Sequence, residues 1–199
     1  MPKVSQQHRD ARREQILSAA RRCFLRDGFH ATSMQDLFAE AGLSSGAVYG
    51  YFTGKDDVII AIAEENMRDI VEMIHDVAVR RPGSSAGATM ADALEILRAK
   101  DAETGLGGLA VLVWAEALRN PLLAEKFKTM LMQLRTGLAQ LIADQQQSGE
   151  LPRGVPADTL AGALLAVVPG FIVQLTMLGP AAVDGVPDAL RALWPSSAS

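Results

Sequence analysis

Apolar side chains recur along this chain at the three- to four-residue spacing of helices, and no segment shows the alternation of a strand. The first stripe contains Ile16, Ala20 and Phe24 and predicts a helix over residues 9–27. Later stripes predict further helices at 55–79, 89–101, 104–119, 121–147, 157–178 and 185–194. The pattern therefore predicts an all-α protein.

Two shorter helical patterns follow the first stripe and are separated by a glycine. Thr32 and Gln35 have the spacing of a capping box, in which side-chain oxygens accept hydrogen bonds from the free amides that open a helix. Gly42 stands where a helix C-cap favours positive φ, and Ser44 can cap the next helix. The second helix, predicted over 45–52, then crosses the first after a short turn. This is the geometry by which a helix-turn-helix places an exposed face in the major groove of DNA.

The order of residues around this hairpin is more specific than the hairpin itself. A basic leading helix is followed by Gly28-Phe29, Thr32, Ala41-Gly42-Leu43-Ser44, Tyr49, Tyr51-Phe52 and Lys55. With these motifs, residues 12–60 resemble the tetracycline-repressor (TetR) family of transcriptional regulators. The resemblance implies nine helices in two domains. Residues 1–54 would form a three-helix helix-turn-helix DNA-binding domain, joined by the long helix to a six-helix ligand-binding and dimerisation domain at 55–199.

The resemblance also implies which residues touch DNA. The implied contacts are Thr32, Ser33, Ser44, Ser45, Gly46, Tyr49, Gly50, Tyr51 and Lys55. Hydroxyls and free amides at helix starts make good phosphate ligands, and Lys55 is expected to clamp a phosphate. Gly46 and Gly50 offer little chemistry for reading bases, so the shape and deformability of the DNA are expected to matter. Periodicity does not decide whether Tyr49 or Tyr51 faces the DNA.

Charge is divided unevenly along the chain. The net charge is −4, but residues 1–55 hold eight Lys or Arg against five Asp or Glu, and the remainder holds eleven against eighteen. Because screening limits the reach of charge to about 10 Å at physiological salt, a basic N-terminal region can bind phosphates on an acidic protein. Arg21, Arg22 and Arg26 on the first helix either add phosphate contacts or form a solvated face, and the sequence leaves both open.

The single cysteine and the N-terminal residues narrow the class of protein. Cys23 lies beside Phe24 on the apolar side of the first helix, which predicts a packing role. One cysteine cannot supply a disulfide framework or a cysteine metal cluster. Residues 1–15 lack the apolar core of a signal peptide, so we expect a cytoplasmic protein.

Catalytic chemistry has no candidates in this sequence. The histidines, His8, His30 and His75, are scattered among unrelated segments, and no nucleophile, metal or nucleotide-binding motif occurs. The adjacent acidic pairs Asp56-Asp57 and Glu64-Glu65 point to different faces of a helix, and we interpret them as capping and solvated charge. We therefore expect no enzyme, no metal and no cofactor, and a helical enzyme is the least favoured alternative.

Residues 159–183 contain no charged side chain, a length within the range of a membrane-spanning helix. A membrane-spanning helix is disfavoured by Pro169 inside the segment and by the acidic flanks Asp158 and Asp184, so we expect no membrane contact. We instead expect a helix buried on nearly all sides, inside the protein or between subunits. With the last helix it is the predicted interface of a homodimer, in which four helices form a bundle. The two heads would then read a palindromic double-stranded DNA operator.

The resemblance further implies a small-molecule inducer bound in the helical body. The candidate pocket residues are Met73, Trp114, Leu118, Phe127, Met130, Leu131, Leu134, Phe171, Gln174 and Met177. Pro169 is expected to kink its helix and to border a cavity. Since charged side chains are scarce in these segments, we expect an apolar or aromatic ligand. The expected function is a repressor that this ligand releases from its operator, and the alternative is a constitutive DNA-binding protein without a ligand.

Overall fold

The computed structural model describes residues 6–80 and 84–194 of the chain. This part consists of ten α-helices and one 3₁₀ turn and contains no strand. The helices are α1 Gln6–Ala31, α2 Met34–Ala41, α3 Ser45–Tyr49, α4 Lys55–Arg80, α5 Ala86–Thr104, α6 Leu106–Ala117, α7 Pro121–Ser148, α8 Ala157–Leu165, α9 Val167–Leu178 and α10 Val186–Leu193, and the 3₁₀ turn is Pro180–Val183. The predicted all-helical fold is confirmed.

The hairpin of α2 and α3 begins one residue later than the sequence pattern predicts. Ser33 caps α2: its Oγ accepts a hydrogen bond from the amide of Asp36 at 3.3 Å, and the Asp36 carboxylate accepts one from the amide of Ser33 at 2.8 Å. The predicted capping box of Thr32 and Gln35 is therefore wrong. Thr32 is only 1% exposed, because its hydroxyl turns inward and donates to the carbonyl of Gly28 at 2.8 Å.

The turn between α2 and α3 follows the predicted chemistry. Gly42 ends α2 in the left-handed region at φ 64°, and the Oγ of Ser44 accepts a hydrogen bond from an amide of α3 at 3.3 Å. α3 is shorter than the predicted helix over 45–52. The amide of Phe52 nevertheless donates to the carbonyl of Val48 at 3.1 Å, so the chain leaves α3 as a tight turn.

Two apolar clusters hold the helices together. The first fills the space among α1, α2, α3 and α4 and continues into α6 and α7 through Leu109, Val113 and Leu123. Cys23 belongs to this cluster and is fully buried, which confirms its packing role, and burial raises the pKa of its thiol. The second cluster contains residues of every helix from α5 to α10. Because the first cluster is shared, α1 to α3, which we call the head, pack directly on the helices from α4 onward, which we call the body.

The predicted helix at 157–178 is divided at Ala166 into α8 and α9. Pro169 has no amide hydrogen to donate to the carbonyl of Leu165, which explains the break and confirms the predicted kink. By length and composition this segment is the one candidate membrane span in the part described, a test that core helices of soluble proteins also pass. Only 28% of its apolar window is buried, so the expectation of burial on nearly all sides is wrong within one chain.

α10 closes the body by crossing α5 at short range. A Cβ atom on Gly87 of α5 would lie 2.9 Å from the carbonyl oxygen of Leu190 and closer still to the Cβ of Trp194, so only glycine fits at the crossing. The Ser85 hydroxyl donates to the carbonyl of Trp194 at 2.8 Å. Arg191 forms ion pairs with acidic side chains of α5 at 2.7 and 2.9 Å. The C-terminal helix is thereby fixed to the body.

Candidate nucleic-acid interface and ligand cavity

The exposed surface of the head is formed by α3 and the residues beside it. Ser44, Ser45, Gly46, Tyr49 and Gly50 are all exposed there. The amides at the start of α3 and the hydroxyls of the two serines therefore face solvent on one surface. Such groups are suited to phosphate oxygens.

The two tyrosines of the motif have different environments. The Tyr49 side chain is 52% exposed, and its ring packs edge-on against Phe38, with ring centroids 5.4 Å apart at an interplanar angle of 69°. Tyr51 is half-buried against the apolar cluster of the head. Phe38 thus supports the exposed ring of Tyr49. Tyr49 is the more exposed of the two tyrosines, and a DNA contact by Tyr51 stays a prediction.

Three predicted contacts are engaged within the protein. Thr32 is buried, so a contact between its hydroxyl and phosphate is wrong for this structure. Ser33 is exposed, but its hydroxyl donates to the Asp36 carboxylate at 2.6 Å, which also holds the pKa of that carboxyl below its usual range. The Lys55 ammonium donates to the carbonyls of Phe29 at 2.7 Å and Thr32 at 3.0 Å. Lys55 thus ties the start of α4 to the end of α1.

The basic face of α1 is also paired within the protein. Arg22 binds Glu40 of α2 at 2.7 Å, which lowers the pKa of the Glu40 carboxyl, and Arg26 approaches the same carboxylate at 3.5 Å. On the other side of α1, Arg13 and Arg21 both bind Glu65 of α4. These arginines brace α1 against α2 and α4, and since Arg22 and Arg26 remain 55% and 58% exposed, phosphate contacts by them stay a prediction.

α1 also runs alongside α6 of the body. The side chain of Leu25 sits in a notch made by two glycines: a Cβ on Gly105 would lie 2.8 Å from one of its methyl carbons, and a Cβ on Gly108 would lie 2.9 Å from the other. At the far end of α6, His30 Nε2 lies 3.3 Å from the guanidinium of Arg119. The head and α6 are therefore in contact along the length of α6.

A small closed cavity of about 40 Å³ lies between α4, α6, α7 and α9. We call it the core cavity. It is lined by Asn66, Met67, Ile70, Ile74, Ala110, Val113, Trp114, Phe127, Met130, Leu131, Leu134, Leu165, Val168, Pro169 and Ile172. Half of the predicted ligand residues are among them, namely Trp114, Phe127, Met130, Leu131 and Leu134. Pro169 borders the cavity, as its predicted kink implies.

Two open grooves flank the core cavity. The α4–α7 groove, of about 590 Å³, runs between those helices and contains Met67 and Met130. The α6–α8 groove, of about 800 Å³, lies between α6, α7 and α8 and shares Trp114, Phe127 and Leu131 with the core cavity. Most of the empty space near the core cavity therefore lies outside it.

The remaining predicted ligand residues lie elsewhere. Met73 and Phe171 are buried in the apolar cluster of the body, where they line none of these three spaces. Gln174 and Met177 are exposed on the outer side of α9. Leu118 is 88% exposed at the edge of the α6–α8 groove. The sequence pattern marked these residues as candidates for the pocket, but it could not tell whether each lies in the core, in the cavity or on the surface.

The sequence reasoning missed the wall that α4 contributes to the core cavity. Met67, Ile70 and Ile74 line it, although the apolar pattern over 55–79 was used only to predict a helix. Asn66 was the available signal, since it interrupts that apolar stripe. Its amide is buried and donates to the carbonyl of Leu106 at 3.3 Å.

The acidic pairs have structural partners. The Asp57 carboxylate accepts hydrogen bonds from the hydroxyl of Thr53 and from its amide, the latter at 2.9 Å; they cap α4 and lower the pKa of Asp57. Glu64 binds Lys126 at 2.6 Å and stays 42% exposed, as the interpretation of solvated charge implies, whereas Glu65 is 17% exposed and pairs with two arginines, so that interpretation is wrong for Glu65. Over residues 6–80 and 84–194 no group of three or more His, Cys, Asp or Glu is arranged to hold a metal ion.

Comparisons with known proteins agree with this geometry. Residues 16–62 match the family described as "Bacterial regulatory proteins, tetR family", and residues 89–194 match "BetI-type transcriptional repressor, C-terminal". The chain is 27% identical to the HTH-type transcriptional repressor AcnR of Corynebacterium jeikeium, over 96% of this chain and 94% of that protein. It is 31% identical to the HTH-type transcriptional repressor Rv1474c of Mycobacterium tuberculosis, over 88% of each chain.

Solved structures show the same fold. Salmonella enterica GusR aligns with a TM-score of 0.73 and 25% identity, over 96% of this chain and 98% of that one. Bacillus subtilis FadR, in complex with stearoyl-CoA, aligns with a TM-score of 0.73 and 21% identity, over 93% and 99%. These matches cover the head and the body together. The chain belongs to the TetR family and is a helix-turn-helix transcriptional regulator, not an enzyme.

Proposed function

We propose that this regulator is a homodimeric repressor that binds a palindromic operator through α3 of each subunit and leaves the DNA when an apolar ligand enters the body. In each head, Ser44, Ser45 and the amides at the start of α3 would hold phosphates. Tyr49 would place its ring and hydroxyl at the edge of the groove, where a thymine methyl or a phosphate is in reach. Direct base reading is limited to few side chains, so DNA deformability contributes to selectivity.

An uncharged outer face on α8 and α9 supports the dimer. Its exposed members are Ala163, Ala166, Gly170, Val173 and Met177, on one side of the two helices. An apolar surface of this kind is costly to leave in water, and small residues allow helices to approach closely. Leu193 of α10 is also exposed. A single short α3 is too small for useful specificity, so a two-fold partner supplies the second half-site.

The contact that supports ligand release most directly is made by α6. Its Ala110, Val113 and Trp114 line the core cavity, while Gly108 of the same helix receives Leu25 of the head. A ligand that shifts α6 therefore acts on α1 without an intermediate element. Because Glu65 of α4 forms ion pairs with α1, a movement of α1 also moves α4, and the spacing of the two heads changes.

The core cavity must enlarge for a ligand to bind. Its volume of about 40 Å³ is close to that of a single water molecule, whereas small-molecule sites occupy roughly 300–1,000 Å³. Its walls are apolar, which supports an apolar or aromatic ligand. FadR, a protein of the same fold, binds stearoyl-CoA, so acyl thioesters belong in a ligand screen.

A ligand screen by thermal unfolding separates the sensor from a constitutive DNA-binding protein. A compound that binds the folded state raises the melting temperature by mass action, and the same compound should release a labelled operator in an anisotropy titration. The constitutive alternative predicts tight operator binding with no stabilising compound in an apolar, aromatic and acyl-thioester panel. A protein that reads an operator acts where the DNA is, so we propose a cytoplasmic location.

A further inference from the structure

The core cavity is separated from the α4–α7 groove by two methionines. Met67 and Met130 line both spaces, and both side chains are buried. Methionine is unbranched and has three rotatable side-chain bonds, so it changes conformation without backbone movement. The partition between groove and cavity is therefore thin and flexible.

The partition on the other side of the core cavity is stiffer. Trp114, Phe127, Leu165 and Pro169 stand between the cavity and the α6–α8 groove, and the two aromatic rings lie 6.4 Å apart. The α6–α8 groove also borders Ala166 of the uncharged outer face proposed for the dimer. A partner subunit on that face would lie beside this groove. The α4–α7 groove is consequently the better entrance.

The charged side chains that line the α4–α7 groove are Glu64, Arg68, Glu125 and Lys126, so their formal charges cancel; Lys128, which pairs with Glu125, lies outside this lining. Glu64 is paired with Lys126 at 2.6 Å, and Glu125 with Lys128 at 3.2 Å. Arg68 stands on the rim of the groove and is exposed, and it forms no ion pair or hydrogen bond with any residue of the described ranges.

The acidic groups on the other side of Arg68 are already neutralised. The cleft that Arg68 also borders contains Glu14, Glu65 and Asp69. Arg21 pairs with Glu14 and Glu65, and Lys100 pairs with Asp69 at 2.9 Å. Arg13 also pairs with Glu65, so every carboxylate that lines this cleft is paired with a cation, and the Arg68 guanidinium remains available to an anion from outside the protein.

We propose that the α4–α7 groove is the entrance to the ligand site, that Met67 and Met130 form its gate, and that Arg68 selects amphipathic ligands with an anionic end. This inference rests on the proposed ligand-released repressor. The apolar part of the ligand passes the gate into the core cavity, while its charged end stays at the polar rim because an apolar cavity does not accept an unpaired charge. α4 is one wall of the entrance, so ligand entry pushes directly on the helix that Lys55 and Glu65 tie to the head.

Chain-matched probes test the selection by charge. Decanoate, 1-decanol and decyltrimethylammonium share an alkyl chain and differ in end group, and their affinities for the full-length protein are measured by calorimetry below micelle formation. We expect decanoate to bind about five- to tenfold more tightly than decanol, as for a partly exposed charge-assisted pair, and the ammonium to bind most weakly. Arg68→Gln should abolish the difference between decanoate and decanol, and Arg68→Lys should retain most of it. Equal affinities for the three probes, or an unchanged difference in R68Q, would overturn the selection.

Association kinetics test the gate. Trp114 lines the core cavity, so its fluorescence reports decanoate entry in a stopped-flow experiment. Met67→Ile and Met130→Ile place a stiff, branched side chain at the partition and should slow both association and dissociation while changing affinity little. Met132→Ile is the matched control, because Met132 lies on the same helix, is 54% exposed and is no part of the gate. Equal rates in all three variants would overturn the gate.

Operator binding without any probe is measured on the same samples. Its absence in the wild type would contradict the proposed repressor itself. Intact operator binding together with no binding of any probe would overturn the entrance and its anion selection while leaving the DNA-binding function in place. We expect intact operator binding that decanoate weakens and decyltrimethylammonium does not.

Discussion

Tyr49 and Tyr51 lie two residues apart but differ in exposure, since Tyr49 is exposed and Tyr51 is half-buried. Tyr49→Ala removes an exposed ring and should weaken operator binding by about 1–3 kcal/mol per half-site with little change in the free energy of unfolding. Tyr51→Ala should show the reverse, a loss of about 2–3 kcal/mol of stability with operator affinity preserved in the folded fraction. Chemical denaturation and operator anisotropy measured on both variants decide the assignment. The opposite ranking would place Tyr49 in the core.

The Lys55 ammonium is a structural tie in this fold. Lys55→Met keeps much of the apolar stem but removes two charge-assisted hydrogen bonds to carbonyls, so it should lower the free energy of unfolding by about 1–3 kcal/mol. Because the ammonium is engaged inside the protein, the dependence of operator affinity on salt should not change. A salt slope reduced by about one unit would show that Lys55 neutralises a phosphate.

Sequence patterns succeeded at residues whose role is decided by near neighbours. Gly42 needs only its own backbone conformation, and Ser44 needs only the amides that follow it, so both caps were predictable. The internal hydrogen bonds of Thr32 and Lys55 were not predictable, because they run to Gly28 and Phe29 at the end of α1. Those partners come together only when the head packs.

The crossing of α5 and α10 depends on the absence of one side chain. Gly87→Ala places a Cβ against Leu190 and Trp194 and should destabilise the protein by about 1–3 kcal/mol. Gly137→Ala is the matched control, because Gly137 lies in a helix with no atom within 4 Å of its added Cβ. That change should stabilise by about 0.5–1 kcal/mol through the helix propensity of alanine. The melting temperatures of the two variants should therefore shift in opposite directions. Shifts in the same direction would contradict the close crossing.

The packing of α1 on α2 contributes a pH-dependent term. The Arg22 guanidinium holds the pKa of Glu40 below its ordinary value of 4.5. The stabilisation from this pair is complete above that ordinary value and is lost as the pH falls through the lower pKa of the folded state. Glu40→Gln should therefore lose less stability on acidification than the wild type, and Glu103→Gln, an exposed glutamate of α5, should behave as the wild type. Parallel acid-unfolding curves for E40Q and the wild type would contradict the pairing.

At the level of elements, periodicity located the helices but did not show which helices pack against one another. The stripes of α1, α4 and α7 were correct because each helix buries one face. Periodicity did not reveal that Ala157–Leu178 leaves much of its apolar surface exposed. It also did not separate Met67 and Met130, which face a cavity, from neighbours that face plain core. Those distinctions depend on which helices pack together in the fold. The spacing of apolar residues along the sequence does not encode that.

The uncharged outer face of α8 and α9 is where the whole molecule is proposed to pair. Met177→Glu places a charge on that face and should convert the dimer to a monomer at micromolar concentration, with loss of operator affinity. Ile96→Glu changes an exposed apolar side chain of α5 outside the face and should leave the dimer intact. Light scattering on the two variants and the wild type measures this directly. A dimeric M177E, or a monomeric wild type, would contradict the proposed interface.

A regulator with two identical heads leaves its symmetry in the DNA that it selects. Selection of bound sequences from random double-stranded DNA by the full-length protein is therefore the most direct test of the central proposal. We predict an inverted repeat whose half-sites lie about one helical turn or more apart, and Tyr49→Ala should lose that enrichment. Enrichment of a single unrepeated site, or no enrichment above the starting pool, would contradict a two-headed operator-binding repressor.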